Sequence, residues 1–270
     1  MVERSRAHRR IAPHALTTRR VVLDRILPRP IELHLPVRIS RGARVPLLVH
    51  FLGPPYLAVD AAQSVDSGMA VVIVNLAAGS AAYEQPFRQP GTWQRLLAAV
   101  DSAMRAGTDA TIGNIYLSAF SAGNGAVRAI LADSTSAERV RGIAILDGIH
   151  TGYIPDRRVV ADSGRLDTAH LEPLLRYARR AVRGDVRMLV SHSEIFPGTF
   201  ASTTETANWL LDALAVPRES VLAWGPNGMQ QTSEARAGGF TLLGFAGNSA
   251  PDHIDHLHAL VTWLGRIVSP

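Results

Sequence analysis

Short apolar runs alternate along this chain with longer segments in which apolar residues recur at helical spacing. Residues 70–76 (AVVIVNL) form a continuous apolar run, which is typical of a strand buried on both faces of a sheet. Residues 45–51 (VPLLVHF) form a second such run, and the Gly-Pro-Pro sequence beyond it ends the strand. The alternation predicts an α/β fold with a mostly parallel central sheet of about eight strands and helices on both faces.

Other segments have the length and composition of strands, and the first two of them should pair antiparallel at one sheet edge. They are residues 18–27, 31–36, 114–119, 142–146, 186–191, 221–224 and 240–245. Helical spacing predicts helices at residues 58–66, 92–106, 122–132, 168–182, 202–214 and 252–268, of which the fifth begins with the capping-box sequence STTE.

The connections predict how the chain is organised. Residues 77–91 are expected to form a loop, and residues 148–185 are expected to form a small cap-like insertion. We find no internal repeat and no low-complexity linker. The prediction is therefore a basic lead-in at residues 1–16 followed by a single domain at residues 17–270.

Charge is distributed unevenly along the 270 residues. All 28 basic residues are Arg, and residues 1–44 carry a net charge of +8 while the remainder carries −3. Residues 1–44 contain no Phe, Tyr or Trp, so they lack the aromatic side chains that nucleic-acid-binding modules interleave with basic ones. We therefore expect no nucleic-acid partner and interpret the basic segment as a solvated lead-in.

Other compositional features exclude several classes of protein. The chain has 0 Cys, which excludes disulfides, thiolate zinc sites and cysteine nucleophiles. No apolar run reaches the ~18 residues of a membrane span. No apolar signal segment follows the basic N-terminus, which favours a soluble, cytoplasmic protein.

One turn carries the most chemical information. In residues 115–125 (IYLSAFSAGNG), Ser121 stands between an apolar strand and a helix, with Ala119 two residues before it and Gly123 two residues after it. Small residues at these positions allow the sharp strand-to-helix turn that exposes a nucleophilic serine, usually written G-x-S-x-G. The alternative is a serine that merely caps a helix.

With this turn, the sequence resembles the α/β-hydrolase superfamily of esterase- and lipase-like serine hydrolases over residues 45–268. Two other segments carry the resemblance: VHFLG at residues 49–53, similar to an oxyanion segment, and AGNSAPDHIDHLH at residues 246–258, after the last strand. The resemblance implies a Ser–acid–His triad in that chain order. It does not indicate a subfamily.

Three histidines lie in the last of these segments. His253 is our candidate base, because a helix with Pro251 in its first turn places it nearest the strand ends, where the helix dipole favours a neutral imidazole. His256, one turn later, is the alternative, and His258 is expected to pack. The same segment could bind a metal, but the spacing differs from H-E-x-x-H and no third ligand is evident, so we expect no metal and no cofactor.

Two carboxylates could orient the base. Asp147 ends the strand at residues 142–146 and is followed by Gly148, while Glu194 follows the strand at residues 186–191. The superfamily places its acid after the later strand more often, which favours Glu194. The local sequence favours Asp147, which we prefer slightly, and an ordinary Asp turn is an equal alternative for it.

The oxyanion hole needs two backbone N–H donors. Ala122, which follows the serine, is expected to supply one. The other should come from Leu52 or Gly53, or from Tyr56, because Pro54 and Pro55 have no N–H group.

These residues predict a serine hydrolase that cleaves a carboxylic ester or related acyl bond of a small molecule through an acyl-enzyme. The alternatives are a peptidase on the same scaffold and an inactive binding protein. Loops around the site suggest Tyr56, Tyr83, Tyr153 and Met229 as substrate-binding residues, with Phe87 also nearby, although loop packing explains each of them as well.

Overall fold

A ten-stranded sheet forms the centre of the protein in the computed structural model, which describes residues 12–106 and 108–268. The strands, including a separate two-stranded pair (β7 and β8), are β1 (Arg19–Leu23), β2 (Ile31–Leu35), β3 (Arg44–Phe51), β4 (Ala70–Val74), β5 (Thr111–Phe120), β6 (Val140–Leu146), β7 (Tyr153–Ile154), β8 (Arg165–Leu166), β9 (Arg187–His192), β10 (Glu219–Trp224), β11 (Gln230–Ala237) and β12 (Phe240–Phe245).

The spatial order of the sheet is β1-β2-β4-β3-β5-β6-β9-β12-β11-β10. The central strands from β4 to β12 are parallel to one another, whereas β1 and β2 at one edge and β11 and β10 at the other are antiparallel to their neighbours. The carboxyl ends of the parallel strands therefore meet along one edge of the sheet, where α/β proteins place their sites.

Helices cover both faces of the sheet. They are α1 (Pro55–Val65), α2 (Ser80–Arg88), α3 (Thr92–Arg105), α4 (Asn124–Ala132), α5 (Ser134–Arg139), α6 (Glu172–Val182), α7 (Thr203–Leu214), α8 (Ala250–His258) and α9 (Leu260–Trp263).

Two hydrophobic cores result, because successive residues of a strand point to opposite faces. Leu47 and Val49 of β3 belong to the core beneath α3, α4 and α6, whereas Leu48 belongs to the core beneath α1 and α9. The predicted α/β class and parallel sheet are confirmed, with ten strands in the central sheet of the described residues instead of about eight.

Several elements differ from the sequence prediction. The predicted loop at residues 77–91 contains α2, whose polar composition, uncapped start at Gly79 and internal Pro86 hide its helical character. The strand β11 (QQTSEARA) was also missed, because it is polar. It forms through pairing with β12 and β10, a contact that local sequence does not reveal.

The proposed cap and domain limits stay predictions. Residues 148–185 contain the β7–β8 pair and α6, and α6 buries Leu174, Tyr177 and Ala178 in the larger core. Most of the basic lead-in at residues 1–16 lies outside the described residues. None of the helices in the described part of the chain is long and apolar enough to cross a membrane.

Candidate active site

Ser121 lies on the turn that joins β5 to α4, with a positive φ of 49°. This left-handed conformation is strained for a residue with a side chain. The turn fits only because small residues surround it: a Cβ on Gly123 would collide with the Phe51 carbonyl, and one on Gly148 would lie 2.7 Å from the Ser121 carbonyl oxygen. The strain and the close packing support the interpretation of a specialised turn.

Asp147 follows β6 and is 1% exposed. Its carboxylate accepts hydrogen bonds from the Ser193 N–H at 2.8 Å, the Ser193 hydroxyl at 2.7 Å and the Thr203 hydroxyl at 2.6 Å. His253 Nδ1 lies 2.7 Å from Asp147 Oδ2. Burial alone would raise the pKa of Asp147, but the hydrogen bonds from His253 and Thr203 and the nearby imidazoles outweigh it and hold the pKa well below its usual value. Asp147 is therefore an ionised carboxylate that hydrogen bonds hold in one position.

His253 lies in the first turn of α8. A capping box formed by Ser249 and Asp252 fixes the start of that helix. The imidazole lies against Phe120, with ring centroids 4.4 Å apart, and about a quarter of the side chain is exposed. Because Asp147 is ionised and only accepts, we assign the proton of the neutral ring to Nδ1, which leaves Nε2 able to accept a proton.

Ser121 lies at the junction of two cavities, both of which His150 and Phe200 also line. The first, of about 320 Å³, contains Asp147 and His253. Among the described residues, no hydrogen bond joins the Ser121 hydroxyl to His253. Such bonds are often long in free enzymes and tighten with substrate.

The alternative base and acid lie elsewhere. His256 is buried, with Nδ1 2.8 Å from the Ser191 hydroxyl and its ring against Phe245, and burial lowers its pKa to about 4. Glu194 is exposed and does not line either cavity at Ser121, although its N–H donates to the Gly247 carbonyl. The structure thus brings His253 and Asp147 together, and neither alternative lines a cavity with Ser121.

Leu52 and Gly53 do not offer free N–H groups to Ser121. The Leu52 N–H donates to the Val74 carbonyl at 3.1 Å, and the Gly53 N–H donates to Asn75 Oδ1 at 3.0 Å. Both donors are thus already used in this conformation, so the geometry does not support the expectation that one of them completes an oxyanion hole, and it stays a prediction. Ala122, by contrast, lines the second cavity beside Ser121.

The four side chains expected to bind substrate do not line either cavity. Tyr83 is buried and accepts a hydrogen bond from the Leu76 N–H, and Tyr153 is buried with its hydroxyl on Glu205. Met229 is also buried, while Tyr56 lines a separate surface cavity near the sheet edge. Their apolar surface is used for packing, which is the alternative that the sequence left open.

Sequence reasoning missed Ser193 and Thr203. Both had a weak signal: Ser193 lies two residues after the end of the predicted strand at residues 186–191, and Thr203 belongs to the capping-box sequence. Their hydroxyl groups converge on Asp147 because β9 lies next to β6 in the sheet.

Within the described residues, no group of three His, Asp or Glu side chains is arranged to hold a metal ion.

No protein-family model and no curated protein sequence matches the chain. Solved structures do: the BES protein from Bacillus cereus has a TM-score of 0.55 at 10% identity, covering 96% of this chain and 99% of that one. Acylaminoacyl peptidase from Pyrococcus horikoshii has a TM-score of 0.50 at 15% identity, covering 93% and 42%. Acetyl xylan esterase from Aspergillus awamori has a TM-score of 0.47 at 11% identity, covering 92% and 100%.

At these identities the similarity concerns the fold alone. The strand order of the parallel sheet and the structural relatives together show that this chain has the α/β-hydrolase fold.

Proposed function

We propose that the protein is a serine hydrolase that cleaves carboxylic esters through an acyl-enzyme on Ser121. The observation that carries this proposal is the hydrogen bond between Asp147 and His253, two residues 106 positions apart, at the cavity where the strained Ser121 turn lies. A buried ionised carboxylate, a partly exposed imidazole and a serine hydroxyl on a strained turn form the arrangement that acyl transfer requires.

Each group then has a defined role. His253 Nε2 removes the proton of Ser121 as the oxygen attacks the ester carbonyl, while Asp147 holds the Nδ1–H tautomer and stabilises the imidazolium. His253 next protonates the departing alcohol, and the acyl group stays on Ser121. A water molecule that gives its proton to the same nitrogen hydrolyses this ester and restores the hydroxyl group.

Labelling with a fluorophosphonate tests the proposal. We expect one adduct per chain on the peptide that contains Ser121, detected by mass spectrometry, and none after heat denaturation. Comparison of p-nitrophenyl esters with aminoacyl-p-nitroanilides then separates an esterase from a peptidase. Absence of any adduct under native conditions would favour a binding protein.

The second oxyanion donor is assigned to the start of α2. Gly79, Ser80 and Ala81 line the same cavity as Ser121 and Ala122. Ser80 and Ala81 are the first two residues of the helix, so their N–H groups have no acceptor within it. A developing oxyanion beside Ala122 would also lie near the positive end of this helix dipole.

Replacing Ser80 with proline removes one of these N–H groups. The change suits the backbone, because Ser80 is the first helical residue and Gly79 has a ψ of 144°. We expect kcat to fall about 100-fold, the usual loss for one oxyanion donor, with little change in Tm. Ser80→Ala keeps the N–H and removes only the hydroxyl, so an equal loss in both variants would contradict this assignment.

A further inference from the structure

The second cavity at Ser121 contains a buried ion pair that the proposed triad does not use. This cavity has a volume of about 570 Å³ and lies on the Ala122 side of Ser121. Glu84 of α2 and Arg128 of α4 both line it, and their side chains form a salt bridge. Charged side chains are rarely buried without a structural or functional reason.

Arg128 is 6% exposed, and its hydrogen bonds are incomplete. One terminal nitrogen donates to the His150 carbonyl at 3.0 Å and the other to Glu84. Its Nε–H is buried and finds no acceptor among the described residues. A buried guanidinium donor without an acceptor is costly, so Arg128 keeps hydrogen-bonding capacity that its protein partners do not use, and it lines the cavity where a ligand would lie.

The charge of Arg128 is also only partly balanced. Glu84 accepts a second salt bridge from Arg88, with Arg88 Nη2 2.6 Å from Glu84 Oε1. Two guanidinium groups thus share one carboxylate. His150 adds no charge of its own, since burial lowers its pKa to about 4 and the ring is neutral at neutral pH. The group of Arg128, Glu84 and Arg88 therefore carries a net positive charge at the wall of this cavity, which favours an anionic group.

The position of His253, which protonates the leaving group, decides which part of an ester lies in this cavity. His253 must protonate the leaving oxygen, so the alcohol part belongs in the first cavity with His253. The lining of the first cavity includes the apolar residues Ile195, Pro197 and Phe200. The acyl part then extends past Ala122 toward Arg128.

We infer that the acyl group of the preferred ester ends in a carboxylate, which Arg128 binds in the second cavity, while the leaving alcohol is apolar. This inference rests on the proposed ester hydrolysis for the placement of the two ester halves. The Arg128 site itself is a binding site that can be measured without catalysis.

The kinetic test compares two esters with the same leaving group, mono-p-nitrophenyl adipate and p-nitrophenyl hexanoate, after subtraction of spontaneous hydrolysis. They differ in a terminal carboxylate in place of a methyl group. We expect the wild-type protein to prefer the adipate by about 10- to 100-fold in kcat/KM, which is the range for a hydrogen bond to a charged group. A ratio near one in the wild-type protein would overturn the inference.

Variants of the ion pair separate binding from a merely structural role. Arg128→Met alone would leave Glu84 buried beside Arg88, so the double variant Glu84→Gln/Arg128→Met is used, and it should abolish the preference. Glu84→Gln alone removes the competing carboxylate and should raise the preference by about threefold or more. If the ion pair has only a structural role, both the double variant and Glu84→Gln alone should lose activity, and Glu84→Gln should not raise the preference for the adipate. Arg180→Met is the matched control, because Arg180 donates to the Ala137 carbonyl away from both cavities.

A calorimetric titration makes the two proposals separately testable. Monomethyl adipate is titrated into Ser121→Ala, with methyl hexanoate as the uncharged reference. We expect at least about tenfold tighter binding of the adipate, lost when Glu84→Gln/Arg128→Met is added. If fluorophosphonate labelling fails but this titration succeeds, the hydrolase proposal is wrong and the carboxylate site stands. If labelling succeeds but both ligands bind equally, the hydrolase stands and the carboxylate site is overturned.

Discussion

Replacing Ser121 with alanine is expected to lower kcat/KM for p-nitrophenyl esters by about 10⁴-fold or more. The reason is that the alanine variant retains the cavities but has no oxygen to form the acyl-enzyme, and triad members act as one unit. Alanine is also less strained than larger residues at the φ of 49°, so the variant should fold. Steady-state kinetics and a thermal melt measure both quantities.

Ser220→Ala is a matched control for this loss. Ser220 is exposed on the edge strand β10, far from the carboxyl ends of β5 and β6 in the strand order. It should retain wild-type activity. If the Ser121 variant retains more than about a tenth of the wild-type kcat/KM in a preparation free of other esterases, the acyl-enzyme mechanism is wrong.

Replacing Asp147 with asparagine is expected to lower kcat by about 10³- to 10⁴-fold. An asparagine amide has the size of the carboxylate but can donate to His253 Nδ1, which would place the imidazole proton on Nε2, facing away from its role as an acceptor. The loss should persist across neutral pH, because the wild-type carboxylate has a depressed pKa and is already ionised there. A profile of kcat against pH from 5 to 9 checks this expectation.

Glu194→Gln controls for the choice of acid. Glu194 is exposed and does not line the cavity of His253, so its replacement should leave the kinetics unchanged. The assignment of the acid would be reversed by the opposite pattern, in which Glu194→Gln is inactive and Asp147→Asn is active. Circular dichroism of both variants checks that each is folded.

The sequence predicts the strands that build the parallel sheet because those strands are apolar on both faces. Residues 70–76 and 45–51 could be predicted as strands without knowing which strands they pair with, since a continuous apolar run is stable only in the interior. The helix α2 could not be predicted from its own sequence, because four of its nine residues carry polar side chains and Pro86 interrupts it. Its burial against α4 is a tertiary contact: a Cβ on Gly125 would lie 3.2 Å from the Glu84 nitrogen.

The candidate site shows the same division. The pattern around Ser121 is local, so the turn was predicted from its small residues, and His253 was selected by its position in a first helical turn. The choice between Asp147 and Glu194 depends on which strand end faces α8, so the sequence could favour Asp147 only slightly. The oxyanion expectation at Leu52 and Gly53 finds no support in the structure, because Val74 at the end of β4 and Asn75 directly after it accept those N–H groups.

The sequence by itself determined the fold class and the turn that carries Ser121, since apolar runs and the small residues of a turn are local features of the chain. The order of the candidate triad is what the resemblance to the α/β-hydrolase superfamily implies. Only the tertiary structure decided that Asp147 meets His253, that Tyr83 and Met229 pack in the interior, and that Arg128 forms a buried ion pair with Glu84. These contacts join residues tens of positions apart. Hydrophobic periodicity predicts which face of an element is buried, but not which distant side chain it meets there.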